Sequence, residues 1–89
     1  MKVVVAVYDK KAMFYQGIAV CENEIDAIRQ FEMTVQNAQS GLLHNYPDDF
    51  CLMRIGSFDE RNGTFEQADY NTNIKEASAC FVTSPKKEE

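Results

Sequence analysis

Long apolar runs are missing from this chain. The longest uninterrupted one is VVVAVY, residues 3–8, far short of the ~20 residues that a membrane-crossing helix needs. Met1-Lys2 leads straight into it and no small-residue cleavage site follows, so no signal peptide is read. Glycine is scarce: four residues, all well separated, exclude a glycine-rich loop that cradles phosphate. There is a single histidine, and no Ser/His/Asp or Cys/His set is legible. Clustered positive charge is lacking too. Nine basic residues stand against fourteen acidic ones, a net charge of −5. The basic residues are scattered, with Lys10-Lys11 in a turn, Lys86-Lys87 beside Glu88-Glu89, and single residues elsewhere. Phosphate binding draws its affinity from counterion release by grouped Lys and Arg, so nucleic-acid binding by the whole surface is disfavoured and only a local site is left open. Cys21, Cys51 and Cys80 are isolated and odd in number, without CxxC or Cys…His spacing. They read as reduced, buried thiols of a cytoplasmic protein, and no metal or other cofactor is expected.

What is present is enough for one folded domain. The 89 residues exceed what a single small core needs and fall short of two domains, and 45% hydrophobic composition is ordinary for a globular chain. Lys2 to Tyr8 is β-branched and apolar, the profile of a strand covered on both faces. After the polar turn Asp9-Lys10-Lys11, Ala12 to Val20 reads as a second strand. Phe14, Ile18 and Val20 fall on one of its faces, Met13, Tyr15 and Ala19 on the other, and Gly17 marks a bulge or a close backbone approach. Asn23 followed by Asp26 is a capping pattern that opens one long helix. Ala27, Ile28, Phe31, Val35 and Ala38 form its apolar stripe, and Ser40-Gly41 is the expected end.

Leu42 to Asp49 reads as a loop, Phe50 to Phe58 as a third strand and Thr64 to Ala68 as a fourth. Asp59 to Gly63 between them is a hairpin turn. Asn73 with Glu76, followed by Ile74, Ala77 and Phe81 at helical spacing, points to a short terminal helix, and Cys80 to Thr83 equally to an edge strand. The expected fold is therefore α+β: a four-stranded, mainly antiparallel sheet of two hairpins with one long helix on one face and a short C-terminal helix or edge strand. Residues 1–83 form the domain and 84–89 a disordered polar tail. A single helix leaves the second sheet face bare. Either the terminal segment or another subunit covers it, and exposed apolar patches of this kind favour a homodimer.

His44 with Asp48 and Asp49 would be the place for acid–base or metal chemistry, but Asn, Asp and Pro before a strand serve turn formation as well. Catalysis is not expected. The sheet aromatics Tyr8, Phe14, Tyr15, Phe50, Phe58, Phe65 and Tyr70 serve as core or cross-strand pairs, or as a platform for unpaired bases.

Three segments in order, VYDKKAMFY at 7–15, DAIRQFEMTV at 26–35 and YPDDFCLMRIGSFDERNGTFE at 46–66, resemble the small non-structural protein of gokushoviruses, the Microviridae branch of single-stranded DNA bacteriophages. The likeness spans roughly residues 3–68. Gln16-Gly17-Ile18 departs from the Pro-Phe pair common there, Asn45-Tyr46 interrupts a His-Pro pair, and Asn62-Gly63 replaces Thr-Gly. The resemblance implies a protein made in the host bacterial cytoplasm, absent from the virion, and acting without catalysis in genome replication, at the switch to single-strand synthesis.

Two readings follow. In the first, a local platform binds single-stranded DNA through Tyr15 with Lys10, Lys11, Arg54 and Arg61, helped by Lys2. In the second, a homodimeric acidic adaptor docks a phage replication initiator, a host replication protein or an assembly protein without touching nucleic acid. Arg54 is singled out because it interrupts an apolar strand, where pairing with a carboxylate is the simpler role.

Overall fold

A computed structural model describes residues 1–81. The four strands are β1 (Lys2–Asp9), β2 (Phe14–Cys21), β3 (Phe50–Asp59) and β4 (Thr64–Glu76). They form one sheet in the order β2-β1-β3-β4, antiparallel throughout. The longer helix α1 (Glu24–Gln36) connects the two hairpins, followed by a 3₁₀ turn at Ala38–Ser40, the short helix α2 (Leu42–Asn45) and a second 3₁₀ turn at Pro47–Asp49. Among the described residues no helix is long and apolar enough to cross a membrane.

Both hairpins turn by the same device. The Asp9 carboxylate accepts from the backbone N–H of Lys11 and Ala12, and the Asp59 carboxylate from those of Arg61 and Asn62. Each turn then closes through a residue at positive φ, Met13 in the first and Gly63 in the second. An aspartate side chain satisfies the N–H groups that a tight turn leaves bare.

α1 begins where the sequence marks it. The Asn23 side chain accepts from the Asp26 N–H at 2.8 Å, and Asp26 reaches back to the Glu22 N–H at 3.3 Å. The helix stops at Gln36, short of the expected Ser40-Gly41. Asn37 is extended, and its side chain caps the following turn through the Gln39 N–H. An Asn that bonds nearby backbone offers the chain an alternative to continuing the helix, so Ala38 is exposed rather than part of the apolar stripe.

Alternate residues of each strand face opposite sides of the sheet. On the helix side, Val5 and Leu52 join Cys21, Phe31, Val35 and Cys80 in the core, with Val3, Val7 and Ala19 packed around them. Of the two expected terminal elements, the short helix is the one present, as a 3₁₀ turn that starts later than the Asn73 cap predicts. β4 runs on to Glu76, carrying Asn73 within it, and a 3₁₀ helix at Ala77–Phe81 buries Ala77 and Cys80 on this same side. The expectation of a tail at 84–89 lies outside the described residues.

Candidate functional site

Among the described residues, no helix covers the other side of the sheet. Val4, Ala6 and Tyr8 of β1 point there, opposite Val20, Met53, Cys51 and Tyr15 of the neighbouring strands. Val4 and Ala6 are buried beneath larger neighbours, while Tyr15, Ile18, Val20 and Phe65 are exposed at 44%, 70%, 49% and 50%. A face of this size carries about 450 Å² in plan, taking four strands ~4.8 Å apart and seven residues at ~3.4 Å each.

Bulges build this face. Between Val5–Ala19 and Val7–Gln16 the register slips, so Gly17 and Ile18 together oppose Ala6. Gly17 takes φ +66° with open space beside it, the left-handed position that glycine occupies without strain. The extra residue reverses the alternation expected for β2: Tyr15 joins Ile18 and Val20 on the open side, while Ala19 and Cys21 face the core. In β3 a similar slip at Ile55 adds that side chain to the open side. β4 loses register between Gln67 and Thr72 and then pairs again. Asp69, Asn71 and Asn73 are weak strand formers, which is why the sequence reading ended this strand at Ala68.

The result is a trough of about 420 Å³ lined by Tyr15, Ile18, Ile55, Phe65, Gln67 and Asn71. Tyr15 closes one end. Its ring packs against Tyr8 with centroids 4.7 Å apart, and its hydroxyl accepts from the Asn71 amide at 2.9 Å. That bond joins β2 to β4, the two edges of the sheet. At the far end Lys2 pairs with Glu22 at 2.6 Å and the N-terminal ammonium with Glu60 at 3.6 Å.

The five residues singled out in the sequence do not converge. Lys10 and Lys11 sit in the β1–β2 turn and Arg61 in the β3–β4 turn, at opposite ends of the sheet. Lys10 pairs with Glu76 at 2.7 Å, a contact that raises the lysine above its usual range and holds the glutamate below its own. Arg54 lies on the helix side, its Nε 3.2 Å from Glu24 of α1. The contact is ionic rather than a well-aligned hydrogen bond, since the buried Nε finds no acceptor in line. Tyr15 alone belongs to the trough. The sequence reading grouped Phe65 with Tyr15 among the sheet aromatics, but placed Ile18 on the opposite face and missed Ile55, Gln67 and Asn71 as companions. A bulge at Gly17 was legible; its effect on the facing of Tyr15 was the signal to follow.

His44 is taken up by structure, and Asp48 and Asp49 lie in the 3₁₀ turn that leads into β3. His44 Nδ1 lies 2.8 Å from the Val35 carbonyl at the end of α1, and its ring meets Phe81 edge-on. The Asp49 carbonyl accepts from the Lys10 N–H at 2.8 Å. Among the described residues no three His, Cys, Asp or Glu side chains converge as metal ligands. Cys21, Cys51 and Cys80 are unbridged and buried, and burial pushes each thiol above its ordinary value.

No solved structure matches this chain. The sequence is 35% identical over 88 residues to Protein ORF5 of Chlamydia phage 1, an alignment covering 94% of this chain and 92% of that protein. The family model described as phage ORF5 protein matches residues 2–80. The chain belongs to the phage ORF5 protein family.

Proposed function

We propose that this chain works without catalysis in single-stranded DNA phage genome replication, as an adaptor whose open sheet face receives a protein surface and not a DNA strand. Family membership and the gokushovirus resemblance support the setting, in the host bacterial cytoplasm and apart from the virion. The observation that carries the choice of ligand is the charge of the face. A strand of DNA needs cations free to replace its counterions. At the two ends of the face, Lys2 and Lys10 are each held by a carboxylate, and Arg54 is on the other side of the sheet. Arg61 and Lys11 stand at opposite ends, roughly 25 Å apart along the strand direction. The middle of the face is apolar. Asp48, Asp49, Glu66 and Asp69, none in an ion pair among the described residues, lie away from it and suit a basic partner such as a replication initiator or a host replication protein.

A second reading keeps single-stranded DNA as ligand, and the half-exposed rings of Tyr15 and Phe65 favour it, because base stacking tolerates low charge. Fluorescence anisotropy of labelled single-stranded DNA separates the two. The adaptor reading expects no binding at micromolar protein in low salt. Binding that falls as salt is added, and that is lost in Tyr15→Ala, would overturn it.

A further inference from the structure

We infer that the protein seated on the open sheet face is a second copy of this chain, packed face to face about a two-fold axis with Ile18 of each protomer in the trough of the other. This rests on the reading of the face as a protein interface and names its occupant. Three observations lead to a second copy.

The first is that no element among the described residues supplies the cover. The last described element, Ala77–Phe81, packs on the helix side, where Ala77 and Cys80 enter the core. Residues 82–89, VTSPKKEE, contain one aliphatic side chain, Val82, among polar and charged ones. Such a segment lacks the apolar surface to satisfy a four-stranded face.

The second is self-complementarity. In a two-fold interface the same patch meets itself, and groups near the axis meet their own copies. An unpaired charge there would face a like charge. This face has none at its centre: Tyr15, Ile18, Val20, Ile55 and Phe65 are uncharged, and the lysines at its ends are neutralised within the protomer. The net charge of −5 is therefore carried elsewhere, and nothing on the face specifies a partner of opposite sign.

The third is size and shape. Two faces of about 450 Å² in plan, corrugated by their side chains, bury roughly 1,000–1,300 Å² together, at the lower end of stable, specific interfaces. Left open, the 420 Å³ trough would hold about a dozen waters against largely apolar walls. Ile18, the most exposed of the apolar side chains on this face at 70%, stands on the rim and is placed to fill the trough of a facing copy.

Sedimentation equilibrium of the full chain over micromolar concentrations, at low and moderate salt, tests this. The expected species has twice the chain mass of 10.2 kDa, and added salt does not weaken it, because screening relieves repulsion between two acidic protomers. Ile18→Asp buries an uncompensated charge and is expected to raise the dissociation constant at least about a hundred-fold. Ile25→Asp, at a site 66% exposed on α1, leaves it unchanged. Circular dichroism checks that each variant folds, and Phe65→Ser on the opposite wall replaces Ile18→Asp if that chain does not. A wild-type chain that stays at 10.2 kDa, or a dimer that is equally tight in the face variants, would overturn the inference. A monomer with no affinity for DNA would do so while leaving the adaptor reading intact; salt-sensitive DNA binding by a chain that stays monomeric would overturn both.

Discussion

Replacing Gly56 with alanine sets one methyl group where backbone and ring atoms already stand. A Cβ at this position would lie 2.5 Å from the Glu66 carbonyl oxygen, and 2.7 and 2.8 Å from two atoms of the Phe65 ring. The ring is half exposed and can swing away. The carbonyl cannot, because Glu66 is β4 backbone opposite Ser57 in the register with β3. Restoring an ordinary C···O separation of about 3.3 Å requires roughly 0.8 Å of movement between the strands.

Overpacking of this kind costs about 1–3 kcal/mol. A strained ladder hydrogen bond adds up to about 1 kcal/mol, and the lower unfolded-state entropy of alanine returns a similar amount. The net expectation is a loss of about 2 kcal/mol, which for a domain of this size lowers Tm by roughly 8–16 °C. Urea unfolding followed by circular dichroism, at one fixed protein concentration, measures it. Phe65→Ala tested alone and together with Gly56→Ala divides the cost, because the ring contribution disappears in the pair while the carbonyl contribution remains. A change within about 0.5 kcal/mol, the usual spread of neutral substitutions, would refute the close approach of β3 and β4 that shapes this wall of the trough.

Met13 holds φ +63° in the first turn while its side chain is 74% exposed; Met13→Gly removes left-handed strain without losing packing and is expected to stabilise by about 0.5–1 kcal/mol in the same urea assay. Acid sensitivity follows from Glu76 and Asp59, held below their ordinary values chiefly by the Lys10 side chain and the Arg61 backbone N–H respectively. Groups with depressed folded-state values contribute stability above their unfolded values, so stability is expected to fall as pH drops below about 4.5. Glu76→Gln should flatten that fall, and an unchanged pH profile would discount the Lys10 pair. The three buried thiols, all raised by burial, are expected to resist iodoacetamide in the folded protein and to react together in urea; prompt labelling of one thiol under native conditions would show that its segment opens independently.

The elements that announced themselves in the sequence are those whose local chemistry agrees with the fold. Asn23 and Asp26 marked the start of α1 because capping is a short-range interaction, and the apolar run at 3–8 marked a strand because β-branched apolar residues suit the pleated backbone; its place inside the sheet came only from the structure. The end of α1 was hidden, since Asn37 breaks the helix through its own side chain while the apolar stripe continues on paper to Ala38. β4 was hidden beyond Ala68, because pairing with β3 resumes through residues that do not favour strands. The trough was illegible for a related reason. Strict alternation puts Tyr15 and Ile18 on opposite faces, and one inserted residue at Gly17 brings them together. Charged residues drew attention to Lys10, Lys11, Arg54 and Arg61, yet the structure separates them and matches two with carboxylates that lie 66 and 30 positions away in sequence. Pairings at such separations leave no local signature.

Ile18 and Ile25 offer an internal comparison, since a lone protomer exposes them almost equally, at 70% and 66%. Methyl NMR with a soluble paramagnetic probe reads the exposure of both in one sample of the full chain. If the open sheet face is a protein interface, Ile18 is protected at micromolar concentrations and above, Ile25 is bleached, and added single-stranded DNA changes neither. Equal bleaching of the two in the protein alone, with Ile18 protected only once DNA is added, would contradict that assignment and make the face a DNA platform.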